Sequence, residues 1–438
     1  MSFLNRRSTA VLTFILVASR AEAEESPREV DRASLETLAL REHPAVRSTE
    51  QRARAIEKSG AAEDSLPPPE AMLQIWGVPI TKPYAVGDAQ MIMLGVGQTF
   101  PAPGSRGARG RAADAEAEVE RTTGQDIARQ IRRDIDHAYA DYVEATARHR
   151  VHQEHRRVAR RTLDLATARH AGGGSLNDVA QAEVELARME ADVVTDATRI
   201  EAARARINAL VGRDATASLG PPVVGDPETT AWDAKTALAK ARETRPELRA
   251  RAASTRARRE EATAAEKEAL LPSFTVAGLY FAPTSVTPQH GYGANASMTL
   301  PWLWGEARAR RDARRESVAA AESELAAQQR PIEAEVATAE ASVRASTVRL
   351  QTLRDRALPA SRRAFDVAWA GYESGRIDVL TVVAARRSVV DVESEIVASR
   401  AAVDHALADL DAAVGASVPR KPIGPLDPGV LSGADHGD

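Results

Sequence analysis

Residues 172–212 read GGGSLNDVAQAEVELARMEADVVTDATRIEAARARINALVG, and residues 375–415 read GRIDVLTVVAARRSVVDVESEIVASRAAVDHALADLDAAVG. Apolar side chains fall seven apart in both. In the first they are Val179, Leu186, Val193, Ile200 and Ile207; in the second, Val382, Val389, Ile396, Val403 and Leu410. A seven-residue apolar column keeps one seam of a helix against a neighbour, which is coiled-coil packing. Two columns in the same phase after equivalent glycines imply two structurally alike copies.

The duplication extends outward from these stretches with an offset of about 200 residues. His43-Pro44 answers Arg245-Pro246, and Leu66-Pro67 answers Leu271-Pro272. Phe100-Pro101-Ala102-Pro103-Gly104 answers Leu300-Pro301-Trp302-Leu303-Trp304-Gly305, each ahead of an Arg- and Ala-rich run. From Gly104 to Ala171 there is no proline, so the sequence predicts one helix of about 65 residues, roughly 100 Å long. The incoming helix of the second copy alternates steps of three and four at Ile332, Val336, Ala339, Val343, Ser346, Leu350 and Leu353, with Ser346 the one polar member. Each hairpin turns at glycine, which supplies the positive φ that ends one helix and admits its antiparallel partner.

A different period precedes each Pro-Gly break. Tyr292, Ala294, Ala296, Met298 and Leu300 alternate with Gly293, Asn295, Ser297 and Thr299. An apolar side and a polar side, at close to the length of a membrane-spanning strand, suggest lipid on one face and a wet lumen on the other. Its expected partner is 273–281. The first copy supplies 71–80 and 91–100, where Gly95 and Gly97 dilute the alternation. Four strands cannot close a channel, and an open edge in lipid leaves backbone groups unpaired. Insertion therefore requires several copies, and three would supply twelve strands, within the range of outer-membrane barrels.

Composition agrees with an elongated helical protein. Aromatics make up 4% of the chain, and 58 basic residues stand against 62 acidic ones, a balance that argues against nucleic-acid binding. Arg6 and Arg7, an apolar stretch from 10 to 18, and Ala21-Glu22-Ala23 read as an export signal with a small-x-small cleavage site. The absence of cysteine excludes disulfides, thiolate metal sites and a lipid-modified cysteine.

These residues resemble the TolC family of outer-membrane efflux proteins over nearly the whole of the chain after the signal. The stretch Gly97-Gln98-Thr99-Phe100-Pro101-Ala102-Pro103-Gly104 is similar to the family's strand-to-helix junction, and 172–182 and 375–385 to its two hairpin tips. The strand around Met91 and this junction are similar to the cation-efflux branch. The resemblance implies a mainly α fold with a small β part: duplicated coiled-coil hairpins and four strands per chain, trimerising into an α-barrel topped by a twelve-strand transmembrane β-barrel. The implied division is a signal peptide (1–23), an N-terminal belt segment and helix (24–65), a β-hairpin (66–104), a helical hairpin (105–212), an equatorial belt (213–245), a second helix (246–270), a second β-hairpin (271–304), a second helical hairpin (305–415) and a tail (416–438).

The implied role is a passive conduit from the periplasm across the outer membrane. Its partners would be two further copies, outer-membrane lipid, a periplasmic adaptor and an inner-membrane pump of RND type. The adaptor would dock at Gly172, Gly173, Gly174, Ser175, Ser374, Gly375 and Arg376. The carboxylates that narrow the periplasmic mouth in some members align here with Thr381 and Ala384, so that gate is not carried over. Asp178, which matches Thr381 in the first copy, and Asp378 remain constriction candidates with Thr381. Cargo is expected to be heavy-metal cations or small toxic compounds. The competing reading is a periplasmic coiled-coil scaffold or adaptor whose β-hairpins are caps.

No nucleophile with its base and no phosphate-binding glycine loop is evident, so neither enzyme chemistry nor a cofactor is expected. His149, His152 and His155 recur every three residues. Such steps spread side chains around a helix, and metal binding is not expected of them. Met72, Met91, Met93 and Met298 read as apolar strand residues in core or lipid contact.

Overall fold

The computed structural model describes residues 29–41 and 43–426. The expected signal at 1–23, and the end of the tail beyond 426, lie outside these. Each copy runs helix, two strands, long helix, returning helix. The first comprises α1 (Arg32–Arg41), α2 (Pro44–Asp64), β1 (Glu70–Trp76), β2 (Met91–Phe100), α3 (Ser105–Ala171) and α4 (Leu176–Leu210). After β3 (Glu228–Thr230), the second comprises α5 (Ala234–Thr244), α6 (Pro246–Leu270), β4 (Phe274–Ala282), β5 (Gly291–Met298), α7 (Glu306–Thr352), α8 (Leu358–Glu373) and α9 (Val379–Val414), followed by β6 (Arg420–Pro422).

Local chemistry sets equivalent boundaries in both copies. Pro44 and Pro246 open α2 and α6, where a missing N–H costs nothing. Gly104 and Gly305 precede α3 and α7 with φ of 79° and 74°, a left-handed conformation that lets the strand turn into the helix. The 67-residue α3 is uninterrupted, as its freedom from proline predicts.

Its counterpart differs. A wide π-helical turn at Leu353–Ala357 joins α7 to α8, and Leu358 N–H reaches back to Leu353 C=O. Pro359 follows at once; it has no N–H to continue the α-helical ladder, and the wide turn absorbs the break. The predicted seam also shifts locally. Thr347, rather than Ser346, occupies the buried position, with its Oγ1 3.0 Å from that of Thr229. Ser346 turns outward and donates to Ser342 O.

Each copy has its own core. Ile131, Ile135, Tyr142 and Ile207 form one with Leu35 and Leu219. Ile332, Val336, Val343, Leu350, Val403 and Leu410 form the other. The heptad members Leu186, Val193, Ile207, Val382, Val389, Val403 and Leu410 are all buried. Midway along the helices the outermost described residues lie against the inter-copy linker. There β3 pairs with β6, Val30 bridges Pro222, and the Tyr139 and Tyr142 hydroxyls donate to Val223 O and Gly220 O, each at 2.8 Å. Among the described residues no helix is long and apolar enough to cross a membrane.

Candidate membrane face and helix-hairpin tips

The four longer strands form one antiparallel sheet in the order β1-β2-β4-β5, so the two copies meet at β2 and β4. The register shows which side chains share a face. Leu73, Leu94, Tyr280 and Tyr292 form one cross-strand row; Ala71, Val96, Gly278 and Ala294 form the next. Below them come Gln98, Val276 and Ala296, then Phe100, Phe274 and Met298. Gln98 is the only amide on this face, and its Nε2 is occupied by Pro67 O and Thr99 O. The face is nevertheless uncovered: Leu73 is 62% exposed, Val96 61% and Val276 51%. An apolar surface of this continuity is costly in water and favourable in lipid. Tyr280 and Tyr292 lie toward one end and Phe100 and Phe274 at the other, with the exposed Trp302 and Trp304 following β5, as aromatic girdles require.

The opposite face carries Gln74, Thr99, Thr275, Asn295 and Ser297. Gly95 belongs here, and a side chain there would collide with Leu279 and Met72, so the glycine makes room on this face and the apolar face keeps its alternation. Met72, Met91 and Met93 also lie on this side, whereas Met298 is on the apolar one. The methionines expected as one class of contact are thus split between two environments. Two strand ends differ from expectation. β1 stops at Trp76 rather than continuing to residue 80, because Gly77 turns left-handed at φ 71° and Pro79 lacks a donor; β5 stops at Met298, ahead of Pro301. Among the described residues the edges β1 and β5 have no partner strand.

At the far end of the helices lie the two tips. Gly172, Gly173 and Gly174 close the first, with φ of 96° at Gly173, and Ser175 caps α4 by accepting from Asn177 N–H at 3.2 Å. Ser374, Gly375 (φ 75°) and Arg376 close the second, all exposed. Asp378 caps α9, accepting from Thr381 N–H at 3.0 Å and Thr381 Oγ1 at 2.6 Å. These bonds, the Thr381 hydroxyl's first, hold its carboxyl below the usual range. Asp378 and Thr381 therefore form one cap, while Asp178 sits half-exposed in the first turn of α4.

Sequence reasoning missed what joins the tips. The Arg169 guanidinium stacks 4.2 Å over the Tyr372 ring and donates to Glu373 O. Deeper in, Glu185 of α4 meets Arg386 and Arg387 of α9, with Arg386 Nη2 at 3.3 Å and Arg387 Nη2 at 2.7 Å. The three spaced histidines do not converge. His152 faces Asp196 on α4 at 2.6 Å, His155 faces Glu393 on α9 at 2.9 Å, and His149 meets Gln153.

Residues 237–416, which carry the second helical hairpin and its strands, match the sequence pattern of the outer membrane efflux proteins. No curated protein matches the chain in sequence. Solved structures match the chain over most of its length. The outer membrane protein VceC from Vibrio cholerae is 18% identical, with a TM-score of 0.71, over 90% of this chain and 97% of that one. The transmembrane channel CusC is 15% identical with a TM-score of 0.74, over 89% and 93%. The CmeC outer membrane channel of Campylobacter jejuni is 13% identical with a TM-score of 0.71, over 100% and 98%. At such identities the likeness is one of fold, and it extends beyond the matched segment to the first copy.

Proposed function

We propose that the protein is the outer-membrane channel of a tripartite efflux system, a passive trimeric conduit that extends into the periplasm. The observation that carries this reading is the uncovered apolar face of an open four-stranded sheet, set at the end of two long helical hairpins. Lipid satisfies that face, but only a closed cylinder satisfies the backbone edges of β1 and β5. Three copies joined β5 to β1 give twelve strands, and the same rotation brings six hairpins into a helical barrel below. The outer membrane efflux protein match and the channel folds among the structural neighbours support the same reading.

Energy then comes from an inner-membrane pump, and the tips at Gly172–Ser175 and Ser374–Arg376 offer exposed backbone to the adaptor that links pump and channel. Asp178, Asp378 and Thr381, at the helix starts beside the tips, are the candidates for lining the narrow end. Protein purified in detergent should run as a trimer and open ion-conducting steps in planar bilayers. Monomers that remain soluble without detergent would overturn the reading in favour of a periplasmic scaffold or adaptor. Replacing Gly375 and Arg376 together should impair export at unchanged trimer yield; intact export would remove this tip from the docking site. Tolerance of a deletion strain to metal ions and to drugs assigns the cargo.

A further inference from the structure

The two hairpins of one chain meet along α3 and α9, where Arg129 Nη1 of α3 donates to Ala412 O of α9 at 2.9 Å and the ion pairs share one chemistry. His137 Nε2 lies 3.0 Å from Asp409 Oδ1, and one helical turn along the roles exchange, with His405 Nε2 2.9 Å from Asp141 Oδ1. The two rings meet edge to face, their centroids 4.5 Å apart. Nearer the tips, His155 Nε2 lies 2.9 Å from Glu393 Oε2. Among the described residues, each ion pair that crosses from α3 to α9 has a histidine as its base. Yet the chain has 58 lysines and arginines and only 9 histidines. Other helix contacts use arginine, as in Arg111–Glu260 between α3 and α6, or Glu185–Arg386 between α4 and α9. Arginine stays charged at every relevant pH, whereas histidine changes charge near neutrality.

The surroundings of His405 favour its protonated form. His137 and His405 face Asp141 of α3 and Asp404 and Asp409 of α9, and Arg206 of α4 lies 2.7 Å from Asp141. The hydrogen bond to Asp141 raises His405 above its ordinary value against the opposing effect of burial, and the same bond lowers Asp141. Among the described residues the buried Nδ1 of His405 has no partner, which opposes a second ring proton and keeps the bridge from being locked in the charged state. Around His155, Glu393 is shared with Arg362 of α8 at 2.7 Å, and Arg150 and Glu154 of α3, Asp366 of α8 and Arg386 of α9 border the same groove.

We infer that the α3–α9 seam is a pH-sensitive clasp: the charged His405–Asp141 bridge, with the His137–Asp409 and His155–Glu393 pairs beside it, ties the second hairpin to the first, and deprotonation of His405 frees it to move. The sign follows from linkage. A base whose folded pKa is raised contributes fully below the ordinary histidine value near 6.5, and that contribution disappears as pH rises through the raised value. The arginine-based contacts at Glu185–Arg386 and Arg129–Ala412 persist throughout, so loosening is confined to the histidine-paired stretch between them. The clasp is internal to one chain and stands independently of the channel reading. If both hold, the periplasmic end yields more readily in alkaline surroundings.

Hydrogen exchange of the full chain in detergent, read by mass spectrometry at about pH 6 and about pH 8.5, tests this across the histidine range. After correction for the chemical exchange rate, residues 393–411 of α9 should open roughly tenfold more often at the higher pH, the difference between a carboxylate bonded by an imidazolium and one bonded by a neutral imidazole. The triple variant His137→Gln, His155→Gln, His405→Gln keeps a neutral donor and should show the looser exchange at both pH values. His405→Arg keeps its charge and should reduce the response. A wild type indifferent to pH, or a triple variant that responds as the wild type does, would overturn the proposal. Bilayer conductance of the same samples reports separately: silent bilayers with pH-dependent exchange sink the channel and support the clasp.

Discussion

Glu185→Ala should loosen the junction between the two hairpins by an amount the burial of its partners sets. The Arg386 side chain is 3% exposed and that of Glu185 2%. Arg386 Nε already lacks a partner, and burial pulls the guanidinium pKa down against the opposing pull of Glu185. Removing the carboxylate strands a buried cation, at a cost of about 3–5 kcal/mol. Arg387 is half-exposed and loses Nε and Nη2 bonds of 2.9 and 2.7 Å, which adds only about 0–1 kcal/mol because solvent replaces them. If the whole cost falls on local opening, exchange of α4 around 182–189 and α9 around 382–390 accelerates more than about a hundredfold. The companion variant Glu185→Met, Arg386→Leu removes both charges and should lie within about 1 kcal/mol of wild type, or above it. Denaturant unfolding in detergent and hydrogen exchange together measure both. A single variant within about 1 kcal/mol of wild type, or a double variant as weak as the single, refutes the reasoning.

The sheet and the belt give two more expectations. Val96→Arg, midway along β2 on the apolar face, should cost about 2–4 kcal/mol in the membrane and abolish assembled protein in outer-membrane fractions, while Asn295→Arg on the other face should assemble normally; equal yields would place lipid elsewhere. Burial, opposed by Arg32, pushes the Asp136 carboxyl up to about 7, so folding stability is lost as pH rises from the ordinary value of 3.8 toward that pKa. Asp136→Asn should therefore raise Tm more at pH 8 than at pH 5, and an identical offset at both would contradict the assignment.

The long-range plan was legible because it rests on periodicity. The columns through Leu186 and Leu410 are buried except at Val179, Ile200 and Ile396, which are partly buried, and the alternation of 292–298 marks one face of β5. What escaped depends on partners far away in sequence. Nothing near Gly95 says that Leu279 crosses it, and nothing near His137 says that Asp409 stands opposite. The histidines at 149, 152 and 155 were conspicuous by spacing, yet two of the three serve different helices, and His405, with no such pattern around it, completes the crossed pair. Pro359 is visible in the sequence, but the wide turn that accommodates it is a choice among several ways of breaking a helix.

That wide turn makes the duplicated halves unequal. One long rod, α3, runs unbroken past the belt, while its counterpart is jointed at 353–357. In a ring of three such chains, stiff and jointed staves alternate around the circumference. A twist applied at the narrow end is then taken up at three symmetric joints, with the unbroken rods holding the ring to its axis like the fixed ribs of an iris.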